Sequence, residues 1–321
     1  MPAVDRQVFI TLEAVPGTAQ AVVLASAVHA KSCTFQRGQA AVARPMLTGD
    51  INTVPAYKPH SQMYSGSIEL EWKAGTAIAA AHPELDTFLQ CAGFVGVPDI
   101  GVKYQYKMCA EPLLASVNLS ATLRKQEGPG GLGKEYKSHG AKFGNLTIGA
   151  SVDQPLSVKA DWLGGYNIPV DDAVLDVPAF AATLPFSQVA TGGFLIGAIV
   201  PVCRSWSVQP GLVVEARGSQ GAVADHGYKL PPNIFANGCV WTFEIEAEDE
   251  GVHALQGLAD SGLTVGVIKV KYSDGTRSVS FDCPDGRVQS IESVVGKPNM
   301  YNLVLAGHGN GTDYGFMITM T

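Results

Sequence analysis

The same order of predicted elements occurs twice along this chain, and this repetition limits the folds that the chain can adopt. In each half a strand precedes a long irregular loop, a second strand, a short helix that ends at a glycine, and further strands. The first strand lies at 28–36 or 202–209, the second begins at Gly66 or Gly238, and the helix ends at Gly93 or Gly262. The offset stays at about 170 residues, which predicts an internal duplication. Chance similarity between β-rich segments remains the alternative.

Strands make up most of the predicted elements. Apolar and polar residues alternate at 7–13, 66–73 and 238–248, a pattern typical of strands with one buried face. The dipeptides Asp274-Gly275 and Asp285-Gly286 predict hairpin turns between later strands. The chain is therefore predicted to be built mainly of short antiparallel strands.

One amphipathic helix is predicted at 79–94, and a second, shorter helix at 252–261. In the first, an apolar stripe is formed by Leu85, Phe88, Leu89 and Ala92. Pro83 suits the first turn of this helix, where its missing N–H would be unpaired in any case. A helix with an apolar stripe among strands has to pack against a sheet.

The predicted fold class is mainly β, with two copies of an antiparallel β-sandwich or barrel, each flanked by a short α-helix. We expect the first copy at 1–165 and the second at 194–321. A segment rich in Pro, Asp and Ala at 166–193 is predicted to be a linker between them.

Composition narrows the classes of function. Hydrophobic residues make up 46% of the chain, enough for a large core, but charged residues only 16%, which suggests extensive subunit contacts or a surface of uncharged polar residues. A net charge of −7 argues against a nucleic-acid clamp, which needs clustered Lys and Arg. The six cysteines form no C-x-x-C pair, and we expect buried thiols in a reducing cytoplasm. No apolar run is long enough for a membrane helix, so we expect no contact with a membrane.

The motifs of common enzymes are absent or out of context. Residues 128–134 (GPGGLGK) match the core of a phosphate-binding loop, but the next residue is Glu135 instead of Ser or Thr. The residues beyond Glu135 are polar and then have the pattern of a strand, so the segment is predicted to be a hairpin tip. The histidines show no metal-ligand spacing, and there is no G-x-S-x-G. We therefore expect no enzymatic activity, no metal and no cofactor.

The strongest charge feature is an acidic run that includes Glu244, Glu246 and Glu248. It indicates either a solvated strand edge or a negative surface that repels a polyanion.

Several motifs, in their order, resemble those of siphophage tail tube proteins. They are 13–19 (EAVPGTA), Arg44-Pro45, 66–72 (GSIELEW), 83–93 (PELDTFLQCAG), 143–146 (FGNL), 162–166 (WLGGY) and 313–319 (DYGFMIT). The resemblance covers most of the chain. It implies a fold of two packed antiparallel sheets with a flanking helix, whose subunits close into rings that stack as a DNA-conducting tube.

The resemblance also implies partners and sites. The partners would be further copies of this chain, the tape measure protein, the tail terminator and tail tip proteins, with genomic DNA passing through the lumen without specific binding. Localisation would be the virion, after assembly in the host cytoplasm. Since each chain carries two predicted copies of the fold, we expect a ring of three chains with pseudo-sixfold symmetry, a ring of six being the alternative. The acidic lumen candidates are Glu244, Glu246 and Glu248. Two long loops would contact the neighbouring ring, through Arg37, Arg44, Asp50, Tyr57, Lys58, Arg217, Asp225 and Tyr228.

Other functions fit parts of the same pattern. A neck or tail-terminator protein would share the fold but stop at one ring. A carbohydrate-binding or hydrolytic β-sandwich would need a pair of carboxylates in a cleft, which the spacing does not indicate. A secreted adhesin would need an export signal.

Overall fold

The structure is a computed structural model of the chain. It describes residues 5–21, 24–38, 42–43, 56–57, 63–73, 80–82, 84–99, 101–108, 119–128, 133–152, 154–172, 186, 189–215, 233–236, 238–246, 249–297, 299–308 and 315–321. The chain is mainly β, and its strands pair antiparallel.

The strands of the first half are β1 (Asp5–Leu12), β2 (Ala27–Val28), β3 (Ala30–Cys33), β4 (Gln36–Gly38), β5 (Val42–Ala43), β6 (Ala56–Tyr57), β7 (Met63–Glu71), β8 (Phe94–Asp99), β9 (Lys103–Met108), β10 (Ala121–Gly128), β11 (Gly133–Ser151), β12 (Ser157–Tyr166) and β13 (Val170–Asp172). Those of the second half are β14 (Val189–Ile196), β15 (Val202–Gln209), β16 (Leu212–Glu215), β17 (Asn233–Ala236), β18 (Cys239–Glu246), β19 (Gly266–Ser273), β20 (Ser278–Ser293), β21 (Met300–His308) and β22 (Met317–Met320). The helices are α1 (Asp86–Cys91), α2 (Asp249–Ser261) and a 3-10 turn at Leu24–Ser26.

The two halves have the same strand order. In the first half, the order is β1, β10, β11, β12 and β7, followed by β3 and β4, which both pair with β7. In the second half it is β14, β19, β20, β21, β18 and β15. The short strand β13 pairs with the start of β11, as β22 does with the start of β20. Pairings among the described residues do not close either set of strands into a barrel.

The irregularities in the strand registers also repeat. Between β10 and β11 the register shifts after the pair Ala121↔Ala141, and between β19 and β20 it shifts after Gly266↔Gly286. A β-bulge bends a strand and increases its local twist. The long strands β11 and β20 are therefore irregular at corresponding points.

Two strand pairings join the halves. The end of β11 pairs with β15, and β9 pairs with β22. Buried residues of both halves form one apolar core, in which the rings of Trp72 and Phe281 lie 5.2 Å apart between centroids. The predicted linker at 166–193 contains β13 and the start of β14, and Phe186 within it is buried. Its ends therefore belong to the sheet, while the domain boundaries at 165 and 194 stay a prediction.

The helix α1 is shorter than predicted, but its apolar stripe is placed as expected. All four stripe residues, Leu85, Phe88, Leu89 and Ala92, are buried. Gly93 follows with φ of 94°, the left-handed conformation that commonly ends a helix. The helix α2 begins at Asp249, three residues before the prediction, and Gly262 ends it with φ of 64°.

A buried histidine explains the late start of α1. The Nδ1 atom of His82 accepts hydrogen bonds from the N–H groups of Glu84 (3.2 Å) and Leu85 (3.0 Å), while Nε2 donates to the Lys73 carbonyl (2.8 Å). The imidazole thus satisfies N–H groups that have no partner within the helix. Burial lowers the pKa of His82 to about 4, so the folded chain favours the neutral imidazole.

One predicted turn is wrong. Asp274-Gly275 forms the expected turn, with φ of 93° at Gly275. Asp285-Gly286, in contrast, lies inside β20, where Gly286 pairs with Gly307 of β21. A Cβ atom on Gly286 would lie 2.3 Å from Cδ1 of Ile268. This glycine is therefore explained by close packing against β19 and not by turn geometry.

The His82 contacts predict a specific loss of stability in acid. The unfolded chain takes up a proton on His82 below pH 6.5, and the folded chain only near pH 4, so stability falls as pH drops through that window. The full difference corresponds to about 3 kcal/mol. Urea denaturation at pH 7 to 4 should show this loss in the wild type. The His82→Asn variant keeps a cap acceptor but does not titrate, and its stability should fall by about 3 kcal/mol less over that range. Equal losses in the two proteins would contradict the assignment.

Candidate assembly surface

One face of the central strands is polar and continuous across both halves. The strands follow one another as β3, β7, β12, β11, β15, β18, β21 and β20, four from each half. Side by side on this face lie Ser32, Glu69, Lys159 and Thr147 in the first half, and Ser205, Glu244, Asn302 and Glu292 in the second. We call the surface defined by these two rows the polar sheet face.

The opposite face of the same strands is the core. The residues next to the two polar rows include Ile68 and Ala160 in the first half and Trp206, Phe243 and Leu303 in the second, all at most 4% exposed. Because successive side chains point to opposite faces of the sheet, one face is buried in the core and the other is polar. The core side fixes which residues lie on the polar sheet face, because a slip of one residue would bury the polar ones.

Acidic residues occupy corresponding positions in the two halves. On β7 the carboxylates of Glu69 and Glu71 alternate with buried residues, and on β18 those of Glu244 and Glu246 do the same. Glu69 and Glu244 each lie opposite the serine that follows a register shift in the neighbouring strand. The acidic pattern predicted only around 244–248 is thus present in both halves.

Cations of neighbouring strands offset part of this negative charge. Lys31 lies 3.6 Å from Glu69, and Arg204 lies 3.2 Å from Glu246. These two cations occupy the same place, inside the register shift of β3 and of β15. Lys297 donates a 2.9 Å hydrogen bond to Glu244, which lowers the pKa of that carboxyl and keeps it ionised. Three carboxylates of the polar sheet face, Glu69, Glu244 and Glu246, are therefore paired with cations.

The junction of β11 with β15 makes the polar sheet face continuous. Its register runs from Ile148↔Val208 to Ser151↔Ser205, and the N–H of Val152 extends it with a 2.9 Å hydrogen bond to the Arg204 carbonyl. Gly149 permits the close approach, because a Cβ there would lie 2.4 Å from the Trp206 carbonyl oxygen.

Most predicted loop residues lie outside the described part of the chain. Arg37 is exposed on β4, and its guanidinium lies 4.4 Å from the centre of the Tyr166 ring. Tyr57 ends β6, which pairs with β5 within the first long loop, and β16 pairs with β17 within the second. Each loop therefore contains a pair of short antiparallel strands. Outside the described residues are Arg44, Asp50, Lys58, Arg217, Asp225, Tyr228 and the acidic candidate Glu248.

Sequence reasoning missed the junction residues and the acids of the first half. The segments 68–71 (IELE) and 243–246 (FEIE) share a pattern that would have identified Glu69 and Glu71. The pairing of β11 with β15 left no such signal, because a strand edge is recognised through backbone groups common to all residues.

Signs of other kinds of site are weak in the described residues. They contain no group of three or more His, Cys, Asp or Glu residues placed to hold a metal ion. At 128–134, β10 and β11 form the predicted hairpin, with Glu127 opposite Lys134, and a strand follows where a phosphate-binding loop needs a helix. Within the described ranges, no helix has the length and apolar character needed to cross a bilayer.

No protein-family model matches the chain, and no curated protein matches its sequence.

The close contact at the junction predicts a measurable effect of one methyl group. Gly149→Ala would place Cβ against the Trp206 carbonyl, and the backbone would have to shift, at a cost of roughly 1–3 kcal/mol. Gly238→Ala is the matched control, since no atom lies within 4 Å of its Cβ position, and it should change stability by less than about 0.5 kcal/mol. Urea denaturation of both variants measures this difference. An unchanged midpoint for Gly149→Ala would show that β11 and β15 do not approach as described.

Proposed function

We propose that this chain is the major tail tube subunit of a siphophage and carries two copies of one tail-tube-like fold. The repeated strand order and the register shifts at corresponding places support the duplication. The motif resemblance implies subunits of this kind, with two packed antiparallel sheets and a flanking helix. The proposal includes no catalytic step, cofactor or metal.

The polar sheet face is the observation that carries this proposal. A sheet that lines a tube needs one polar face towards the lumen and an opposite face buried in the core. Each central strand has one polar and one buried face. Four strands from each half contribute, with carboxylates at corresponding positions. A lumen built from alternating halves would therefore repeat nearly the same charges around its axis.

The charges suit the passage of DNA without binding. Proteins hold DNA chiefly by neutralising its phosphates with Lys and Arg. Carboxylates pair with Lys31, Arg204 and Lys297 and partly neutralise their positive charge. These cations therefore attract phosphate less strongly. In this proposal Glu244 and Glu246, together with Glu69 and Glu71, face the lumen.

The two long loops would contact the neighbouring ring. The first follows β4 and the second follows β15, and each contains a pair of short antiparallel strands, β5 with β6 in the first and β16 with β17 in the second. Tape measure, terminator and tip proteins are the further partners, and the proposed localisation is the phage tail after assembly in the host cytoplasm.

The duplication predicts rings of three chains with pseudo-sixfold symmetry. Three chains supply six folds, the number that closes a ring of single-fold subunits, and a closed ring leaves no free strand edge. Native mass spectrometry should give the mass of three chains, and end-on negative-stain images should show six similar lobes. Six chains per ring would overturn the ring of three. Rings that never stack would favour a terminator, and a protein that forms no ring would overturn the proposal.

Reversing charge on the polar sheet face should create DNA binding. Glu71→Lys combined with Glu246→Lys would direct new cations at the lumen from both halves. Assemblies of this variant should bind short duplex DNA at about 50 mM salt at least roughly tenfold more tightly than the wild type, and binding should weaken steeply with salt. Asp99→Lys with Asp260→Lys makes the same charge change at exposed positions elsewhere. Equal DNA binding by the two variants in fluorescence anisotropy would place Glu71 and Glu246 outside a common lumen.

A further inference from the structure

Corresponding strands of the two halves have different neighbours. The strand β15 lies between β18 and β11, whereas its counterpart β3 pairs only with β7 among the described residues. The end of β11 lies between β12 and β15, whereas the end of β20 pairs only with β21 in the described part of the chain. Among the described residues, each chain thus shows one unpaired edge of each kind that forms its internal junction. On the β3 side the unpaired part follows β2, which pairs with β1.

We propose that the end of β20 in one copy of the chain pairs with β3 of a second copy, in the register of the internal β11·β15 junction. Val294 stands at the position of Gly149, so the two strands would lie farther apart there than they do inside the chain. This inference rests on the proposed tube function and names the surfaces through which its subunits join. The occupant of the β3 edge is a second copy, because the complementary edge is present on the same chain and the corresponding strands, β11 and β15, pair inside the chain. Unpaired edges are sites at which strands add to a sheet.

The internal junction gives the register of the proposed one. The register shifts make Ser205 the counterpart of Ser32, and the continuous pairing after each shift makes Val208 the counterpart of Phe35. On the other strand, the pairs Thr147↔Lys159 and Glu292↔Asn302 correspond. The internal pair Ile148↔Val208 thus corresponds to a proposed pair Ser293↔Phe35 between copies. The internal pair Ala150↔Trp206 corresponds to a proposed pair Val295↔Cys33.

The side chains at the two open edges suit burial in such a junction. Val295 is 97% exposed, although its counterpart Ala150 packs against the core. Phe35 is half-buried, and its ring lies 4.6 Å from that of Trp162 between centroids. In the internal junction both Ile148 and Val208 are fully buried. Pairing of the open edges would cover Val295 and complete the burial of Phe35.

The proposed pairing is short. The pairing of β20 with β21 ends at Val294, whose N–H donates a 2.8 Å hydrogen bond to the Met300 carbonyl. Gly296 then turns the chain with φ of 79°. The pairing therefore centres on Ser293, Val294 and Val295, opposite Phe35, Thr34 and Cys33 of the next copy.

Cross-linking to a native cysteine tests this register. Cys33 is a free thiol, and Val295→Cys would place a second thiol opposite it across the junction. The assembled full chain is oxidised with copper phenanthroline or bridged with a short bis-maleimide, then separated on a denaturing gel. We expect a ladder that ends at three chains, and peptide mapping that joins position 295 to Cys33.

Two controls define the specificity of the link. Val295→Cys combined with Cys33→Ser should give no ladder. Val267→Cys, on an exposed position of β19, should give none although Cys33 is present. If Val295→Cys prevents assembly, hydrogen exchange of the wild-type protein is measured instead of the cross-link. The backbone amides of 32–35 and 293–295 should then become protected when rings form.

The outcomes separate this proposal from the tube function. Rings or tubes that form without the 295–33 link and without protection of these amides overturn the junction but leave the tube function standing. A ladder that ends at six chains keeps the junction and overturns the ring of three. A chain that stays monomeric at every concentration overturns both proposals.

Discussion

The pairing of β11 with β15 is the interaction on which the rest of the structure depends. It joins two similar sets of strands into one sheet, so that the core on one side and the polar sheet face on the other run through both halves. Backbone hydrogen bonds supply this contact, and Gly149 makes room for it. Without it, the edge of β15 and the end of β11 would be open, as the edge of β3 and the end of β20 are among the described residues.

The sequence predicted much of the fold because alternation and turn residues act locally. The strand at 202–209 has the predicted bounds, and the stripe of α1 is buried as expected. Local sequence patterns did not predict the structure where a residue distant in the sequence determines it. His82 caps α1 through a side chain whose partners include the Lys73 carbonyl, and Gly286 serves packing against Ile268. On the polar sheet face, the sequence predicted Glu244 and Glu246 as candidates because they belong to an acidic run, but not Glu69 and Glu71, which are two carboxylates outside any such run.

Paired charge on the polar sheet face meets two requirements at once. Carboxylates two residues apart on one strand, such as Glu69 and Glu71, lie on the same face of the sheet and repel one another. Lys31 and Arg204, held in corresponding register shifts, relieve this repulsion beside Glu69 and Glu246. Exposed pairs of this kind add little stability, so their effect is to set the local charge without a strong attraction for phosphate. A cation at the register shift and a carboxylate beside it recur in both halves.

The two junctions of a ring built from this chain would not be equal. Inside the chain, the hairpin β8–β9 follows α1 and adds a second pairing, of β9 with β22, to that of β11 with β15. After α2 the chain enters β19 at Gly266, leaving no room for a corresponding hairpin. A junction between chains would therefore rest on β20 and β3 without this reinforcement, and rings would separate there first. In such a ring, the covalent connection and the pairing of β9 with β22 would strengthen every second junction, and the long loops, one in each half, would add contacts between rings at every position around the axis.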